Sequence, residues 1–118
     1  MKVQFICYSR CSTCKKAEKW LEENKIVFAK RKIVEEIPTK EELKTWLEMS
    51  KKEIKSFFNT SGIKYKELNL KDKLSQMTED EKLNLLSSNG MLIKRPILVT
   101  DNKVLLGFKE KEWTENLK

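Results

Sequence analysis

The sequence predicts an α/β domain built on a mixed four-stranded sheet with helices on its faces, and three observations predict it. Residues 3–33 read as strand, helix, strand, the unit that joins two parallel strands. Residues 96–108 hold two apolar, β-prone runs split by Asp101-Asn102, the pattern of a hairpin. Between them, from about 39 to 90, helix-start signals recur without a strand signal, so this stretch reads as a helical insert. A chain of 118 residues is close to the commonest domain size, and a single domain over 1–118 is expected.

The elements follow in order. Val3 to Tyr8 is short and nearly all apolar, as a central strand covered on both faces would be. Ala17, Trp20 and Leu21 then recur at helical spacing with Lys16, Glu18, Lys19, Glu22 and Glu23 opposite, giving an amphipathic helix from about Ser12 to Asn24. Ile26 to Ile33 alternates as a second strand. Thr39 with Glu42, and Thr78 with Glu81, are capping boxes that open two helices; their apolar faces are Leu43, Trp46 and Leu47, then Leu83, Leu85 and Leu86. Glu53 to Phe58 reads as a short helix, Asn59 to Leu70 as less regular, and Asn89-Gly90 as a helix stop. Pro96 to Thr100 and Lys103 to Phe108 form the hairpin, and Lys109 to Leu117 a last helix docking Trp113 and Leu117. The order βαβ, helices, ββα is a thioredoxin-like, glutaredoxin-type arrangement with a helical insert.

Composition narrows the function classes. Of 25 basic residues only Arg10, Arg31 and Arg95 are arginine, and the lysines are scattered along the chain. A nucleic-acid surface would concentrate its charge and mix in arginine and aromatics, so the net charge of +7 reads better as a solvated surface and argues against direct nucleic-acid binding. The first apolar run is too short for a signal peptide, and none approaches the ~20 residues of a membrane helix, which predicts no membrane partner and a cytoplasmic protein. In that reducing compartment an odd set of 3 cysteines fits no structural disulfide framework.

Cys11-Ser12-Thr13-Cys14 lies where the first strand turns into its helix. A sulfur at a helix N-terminus meets unpaired N–H groups and the positive end of the helix dipole, which favour its thiolate. Arg10 and Lys15 add positive charge nearby, Ser12 and Thr13 complete the turn, and all four are candidates to bind an oxyanion or substrate. Cys11 is the better placed to attack; Cys14, one helical turn on, can resolve a mixed disulfide or a sulfenic acid. Two other readings stand beside this one. C-x₂-C is also half a zinc site, but the chain has no histidine and only Cys7, in the first strand, to spare; no metal is expected. The pair could also be two idle cysteines at a helix start. Without histidine there is no Cys-His or Ser-His-Asp arrangement either.

The second informative segment is Leu92-Ile93-Lys94-Arg95-Pro96-Ile97-Leu98-Val99. Proline is tolerated at the start of a strand, where it owes no ladder bond, and Arg95 before it offers a guanidinium fork to an oxyanion. With these two segments the chain resembles the arsenate reductase and Spx family, and the resemblance runs through YSRCSTCKKAEKWLEENKI, PTKEELKTWL, FFNTSGIKYKELNLKDKL, NGMLIKRPILV and VLLGFKEKEW. It is closest to the small arsenate-reductase-like and Spx/MgsR-like members. The resemblance implies a thioredoxin-like fold, Cys11 as catalytic cysteine, Arg95 as oxyanion ligand, and Pro96 as a proline, usually cis, facing the site. It also implies an external thiol donor such as glutathione with glutaredoxin, or thioredoxin, in place of a bound cofactor. Expected partners are a thiol-redox protein or a small oxyanion or, on the Spx side, the RNA polymerase α subunit. The chain departs from the glutaredoxin-coupled arsenate reductases at Cys14, where they carry serine, and at Asn59 and Phe108, which align near two further arginines. It departs from Spx at Glu53, which aligns with a glycine used in polymerase contact.

Overall fold

A computed structural model describes residues 2–118. Strand β1 (Gln4–Cys7) leads through the cysteine turn into helix α1 (Ser12–Glu23) and then to β2 (Ala29–Lys32). The insert comprises α2 (Lys40–Ser50), a 3₁₀ turn (Ile54–Phe57), the short helices α3 (Ile63–Glu67) and α4 (Leu70–Lys73), a second 3₁₀ turn (Leu74–Gln76), α5 (Glu79–Ser88) and a third 3₁₀ turn (Gly90–Leu92). The hairpin β3 (Ile97–Val99) and β4 (Val104–Leu106) and helix α6 (Glu110–Leu117) complete it. The sheet order is β2-β1-β3-β4, with β2 parallel to β1 and the other pairs antiparallel. This is the mixed four-stranded sheet that the sequence predicts.

The strand residues sort by the two-residue period of a pleated sheet. Phe5 and Cys7 of β1, Leu98 of β3 and Leu105 of β4 face one side, where they meet Cys14, Ala17, Trp20 and Leu21 of α1 and Trp113 of α6. Ile6, Ile97, Val99, Val104 and Leu106 face the other, against Leu43, Trp46, Leu47, Leu83 and Leu86 of the insert. Both capping boxes form: the Thr39 and Thr78 side chains accept the N–H groups of Glu42 and Glu81, whose carboxylates accept the threonine N–H groups in return.

Three expectations are corrected. The second strand is shorter than 26–33 and lies at the sheet edge, so most of its side chains are exposed; Ile26, Phe28 and Ile33 reach the core from its flanks. Glu53 to Phe58 forms only a 3₁₀ turn. Residues 59–70 hold α3, which buries only Tyr65, and the start of α4, separated by Asn69 in the left-handed conformation. The α5 helix stops at Ser88, just before Asn89-Gly90 as expected. Asn89 is extended and its side chain caps the following turn, while Gly90 is buried where a Cβ would stand 2.4 Å from the Ile33 carbonyl oxygen.

Candidate active site

The site begins with a turn. Cys11 N–H donates to the Tyr8 carbonyl at 3.0 Å, which folds the chain back at the end of β1. Cys11 itself is the N-cap of α1: its backbone is extended and its Sγ accepts the Cys14 N–H at 3.4 Å, the place usually taken by a serine, threonine or aspartate oxygen. Cys14, in the first turn, is 3% exposed and its Sγ accepts the Tyr8 N–H at 3.4 Å. All three cysteines are free thiols.

These surroundings separate the sulfurs electrostatically. Partial burial of Cys11 disfavours its thiolate, but donation from Cys14 and the Thr13 N–H, together with the Arg95 charge, outweighs it, and the pKa falls below the ordinary thiol value. Cys14 moves the other way, pushed up to about 12, first by burial and then, against the relief of the Tyr8 N–H, by the neighbouring Cys11. Burial also raises Cys7, which is 2% exposed in β1 and sits in the core as the small hydrophobe its strand position predicts.

Cys11 and Thr13 open into a cleft of about 360 Å³. One wall is Phe58 with Asn59, Thr60 and Ser61; the facing wall is Leu106, Gly107 and Phe108. Lys94, Arg95 and Lys109 supply the charge, and no carboxylate among the described residues lines it. The insert wall is tied to the arginine loop by backbone pairing: Lys94 N–H donates to the Phe57 carbonyl at 2.8 Å and Asn59 N–H to the Leu92 carbonyl at 2.8 Å. The Arg95-Pro96 peptide bond is cis, and the Pro96 carbonyl accepts the Gly107 N–H at 2.8 Å. Gly107 has φ of 70°, and the Lys94 Cε lies 3.2 Å from where a Cβ would stand.

Of the residues singled out from sequence, Cys11, Thr13 and Arg95 line the cleft, and Cys14 is buried behind Cys11. Pro96 is buried beside the loop. Arg10, Ser12 and Lys15 are exposed and lie outside the cleft lining. Asn59 and Phe108, noted as departures from the arsenate reductases, both stand in its walls. Sequence reasoning did not find Tyr8, Thr60, Ser61, Lys94 or Lys109 as neighbours of the site. The polar run Asn59-Thr60-Ser61 after two phenylalanines was the one signal that could have marked a loop of use. Among the described residues no three histidine, cysteine, aspartate or glutamate side chains converge as a metal site would.

The sheet, the cysteine turn at a helix start and the cis-proline loop together define a thioredoxin-like protein in which one thiol of a close pair, Cys11, faces a cationic cleft. The ArsC family profile matches residues 7–116, nearly the whole chain. The chain belongs to the ArsC family. Among relatives, it is 53% identical over 116 residues to the uncharacterised protein YusI of Bacillus subtilis, covering 98% of each chain. It is 35% identical to the regulatory protein MgsR of the same organism, over 94% of this chain and 86% of that one. It is 32% identical to the global transcriptional regulator Spx of Enterococcus faecalis, over 86% and 76%. Among solved structures, an ArsC-family-related protein from Bacteroides fragilis superposes with a TM-score of 0.96 at 55% identity, covering 100% of this chain and 98% of that one. The arsenate reductase from Vibrio cholerae superposes with 0.88 at 29% identity, over 99% and 98%.

Proposed function

We propose that the protein is an arsenate-reductase-like thiol–disulfide oxidoreductase in which Cys11 attacks and Cys14 resolves. The observation that carries this reading is the asymmetry of the pair: Cys11 is half-buried at the cleft with a lowered pKa, and Cys14 is buried behind it with a raised one. On a disulfide substrate, the Cys11 thiolate attacks one sulfur, forms a mixed disulfide and releases the other sulfur as a thiolate. With Cys11 so bonded, its negative charge no longer opposes ionisation of Cys14. Cys14 then loses its proton, attacks Cys11 Sγ, forms the Cys11–Cys14 disulfide and releases the second thiolate. Two electrons pass from the protein to the substrate, and an external thiol, such as glutathione with glutaredoxin or thioredoxin, returns them in the reducing cytoplasm.

Arg95, with Lys94 and Lys109, would hold an anionic group beside the reacting sulfur, whether a carboxylate of the substrate or a small oxyanion. With Asn59 and Phe108 in the walls, arsenate would meet a single guanidinium, which favours organic disulfides over arsenate as substrate. Reduction of a glutathione mixed disulfide should vanish in Cys11→Ser, whereas Cys14→Ser should stall as a protein-bound mixed disulfide visible by mass. Equal turnover by wild type and Cys11→Ser would remove the proposal.

A second reading follows from MgsR and Spx, named as regulators: the same pair as a redox switch controlling attachment to the RNA polymerase α subunit. Pull-down with the α C-terminal domain in oxidised and reduced states separates the two, and no binding in either state leaves the oxidoreductase alone.

A further inference from the structure

Tyr8 performs neither of the steps above, yet it touches Cys11, Cys14 and Arg95 together. Its carbonyl accepts the Cys11 N–H at 3.0 Å, and its N–H donates to Cys14 Sγ at 3.4 Å. Its ring lies against the Arg95 guanidinium, with Cζ 5.1 Å from the ring centroid. Any residue but proline could make the two backbone contacts. Only an aromatic side chain can make the third.

Arg95 depends on that contact. Its Nη1 donates only two long hydrogen bonds, to the Met91 carbonyl at 3.4 Å and the Ile93 carbonyl at 3.3 Å, both on its own loop. Its Nε is buried with no partner. Among the described residues no carboxylate pairs with it. A guanidinium held by marginal bonds can turn about its long stem, and a ring face fixes the plane that the hydrogen bonds leave loose. The other cations that line the cleft, Lys94 and Lys109, are exposed and carried on flexible stems.

We propose that Tyr8 is the positioning residue of this site: its ring holds the Arg95 guanidinium in place, and so determines how strongly that charge acts on the Cys11 sulfur. The inference rests on the reading of Cys11 as an activated thiol and adds the residue that maintains the activation.

The test is the pH profile of iodoacetamide alkylation of the reduced full-length protein, resolved at Cys11 by mass spectrometry. Below the midpoint of the profile, Tyr8→Leu should slow alkylation about two- to fivefold. Tyr8→Phe, which keeps the ring face, should match wild type. Arg95→Met should slow the reaction at least as much as Tyr8→Leu, and adding Tyr8→Leu to Arg95→Met should change nothing further. If Tyr8→Leu does not fold, Tyr8→Met removes the ring at similar volume with the same expected fall. Equal slowing by Tyr8→Leu with and without Arg95, slowing by Tyr8→Phe, or no slowing by Tyr8→Leu would each overturn the inference. A wild-type Cys11 that titrates as an ordinary thiol would sink the activated-thiol reading as well. A low wild-type profile that Tyr8→Leu leaves in place sinks only the role of Tyr8.

Discussion

Cys11 and Cys14 stand three positions apart in one helical turn, yet they hold their protons very differently, because one sulfur caps the helix and the other lies in the core. The Cys14 side chain, as well as its backbone N–H, lowers the Cys11 pKa, so part of the activation of Cys11 resides in its partner's side chain. Alkylation of Cys11 should therefore rise with pH and level off below the range of a free thiol, near ~8.5. In Cys14→Ala the thiol donor is gone while the backbone N–H remains, and the profile should move to higher pH. Cys14→Ser, which restores a donor, should move it less. A profile unchanged in Cys14→Ala would show that the Cys14 side chain takes no part in activating Cys11.

At the scale of elements, two backbone positions show how differently a glycine can be required. Lys51 ends α2 at φ 57°, in the left-handed region that glycine occupies without strain. Lys51→Gly should stabilise the fold by about 0.5 kcal/mol, since relief of the left-handed conformation exceeds the extra entropy of the unfolded chain. Gly90 needs no such φ. Its hydrogen faces the Ile33 carbonyl at the end of β2, and a methyl group there would collide with backbone that cannot swing aside. Gly90→Ala should destabilise by about 1–3 kcal/mol. Urea unfolding of the two variants measures both, and opposite signs are expected.

At the scale of the whole molecule, edge strand β2 is fastened to the insert by one side chain. Arg31 donates to both carboxylate oxygens of Glu42, at 2.6 and 2.9 Å, and to the carbonyls of Glu36 and Ile37, while its guanidinium lies 5.9 Å from the Trp46 ring centroid. The Arg31 hydrogen bonds hold the Glu42 pKa below the usual carboxylate value against partial burial, helped by the Thr39 N–H. A folded-state pKa below the unfolded one contributes stability above the unfolded value, near ~4.3, and that contribution disappears as pH falls through the folded value. Glu42→Gln should accordingly lower stability at neutral pH and flatten its decline below about pH 4. Parallel decline of the two proteins in acid urea titrations would show that the clamp is not a source of acid sensitivity.

The sequence by itself determined the sheet with its one parallel pair, both capping boxes and the cysteine turn. Each of these is written locally: apolar residues at period 2 or 3.6, a threonine three positions before a glutamate, a thiol where a strand becomes a helix. Arg95 and Pro96 were legible too, through a short motif and the resemblance it carries. What the sequence could not supply is everything made between segments distant in the chain. The edge position of β2, the helices of residues 59–70, whose apolar contacts are too few to set a period, and the close approach at Gly90 depend on packing. So does the cleft itself. It brings Cys11, the loop of Asn59, the loop of Arg95 and the turn at Phe108 to one place, and it leaves Arg10, Ser12 and Lys15 outside, although they are the nearest neighbours of the cysteines in sequence. A helix start turns successive side chains in different directions, so adjacency along the chain does not specify which of them face a common space. The ring of Tyr8 meeting Arg95 across 87 positions of sequence (95 minus 8) is the same fact at its clearest, because only the folded sheet sets the end of β1 against the start of β3.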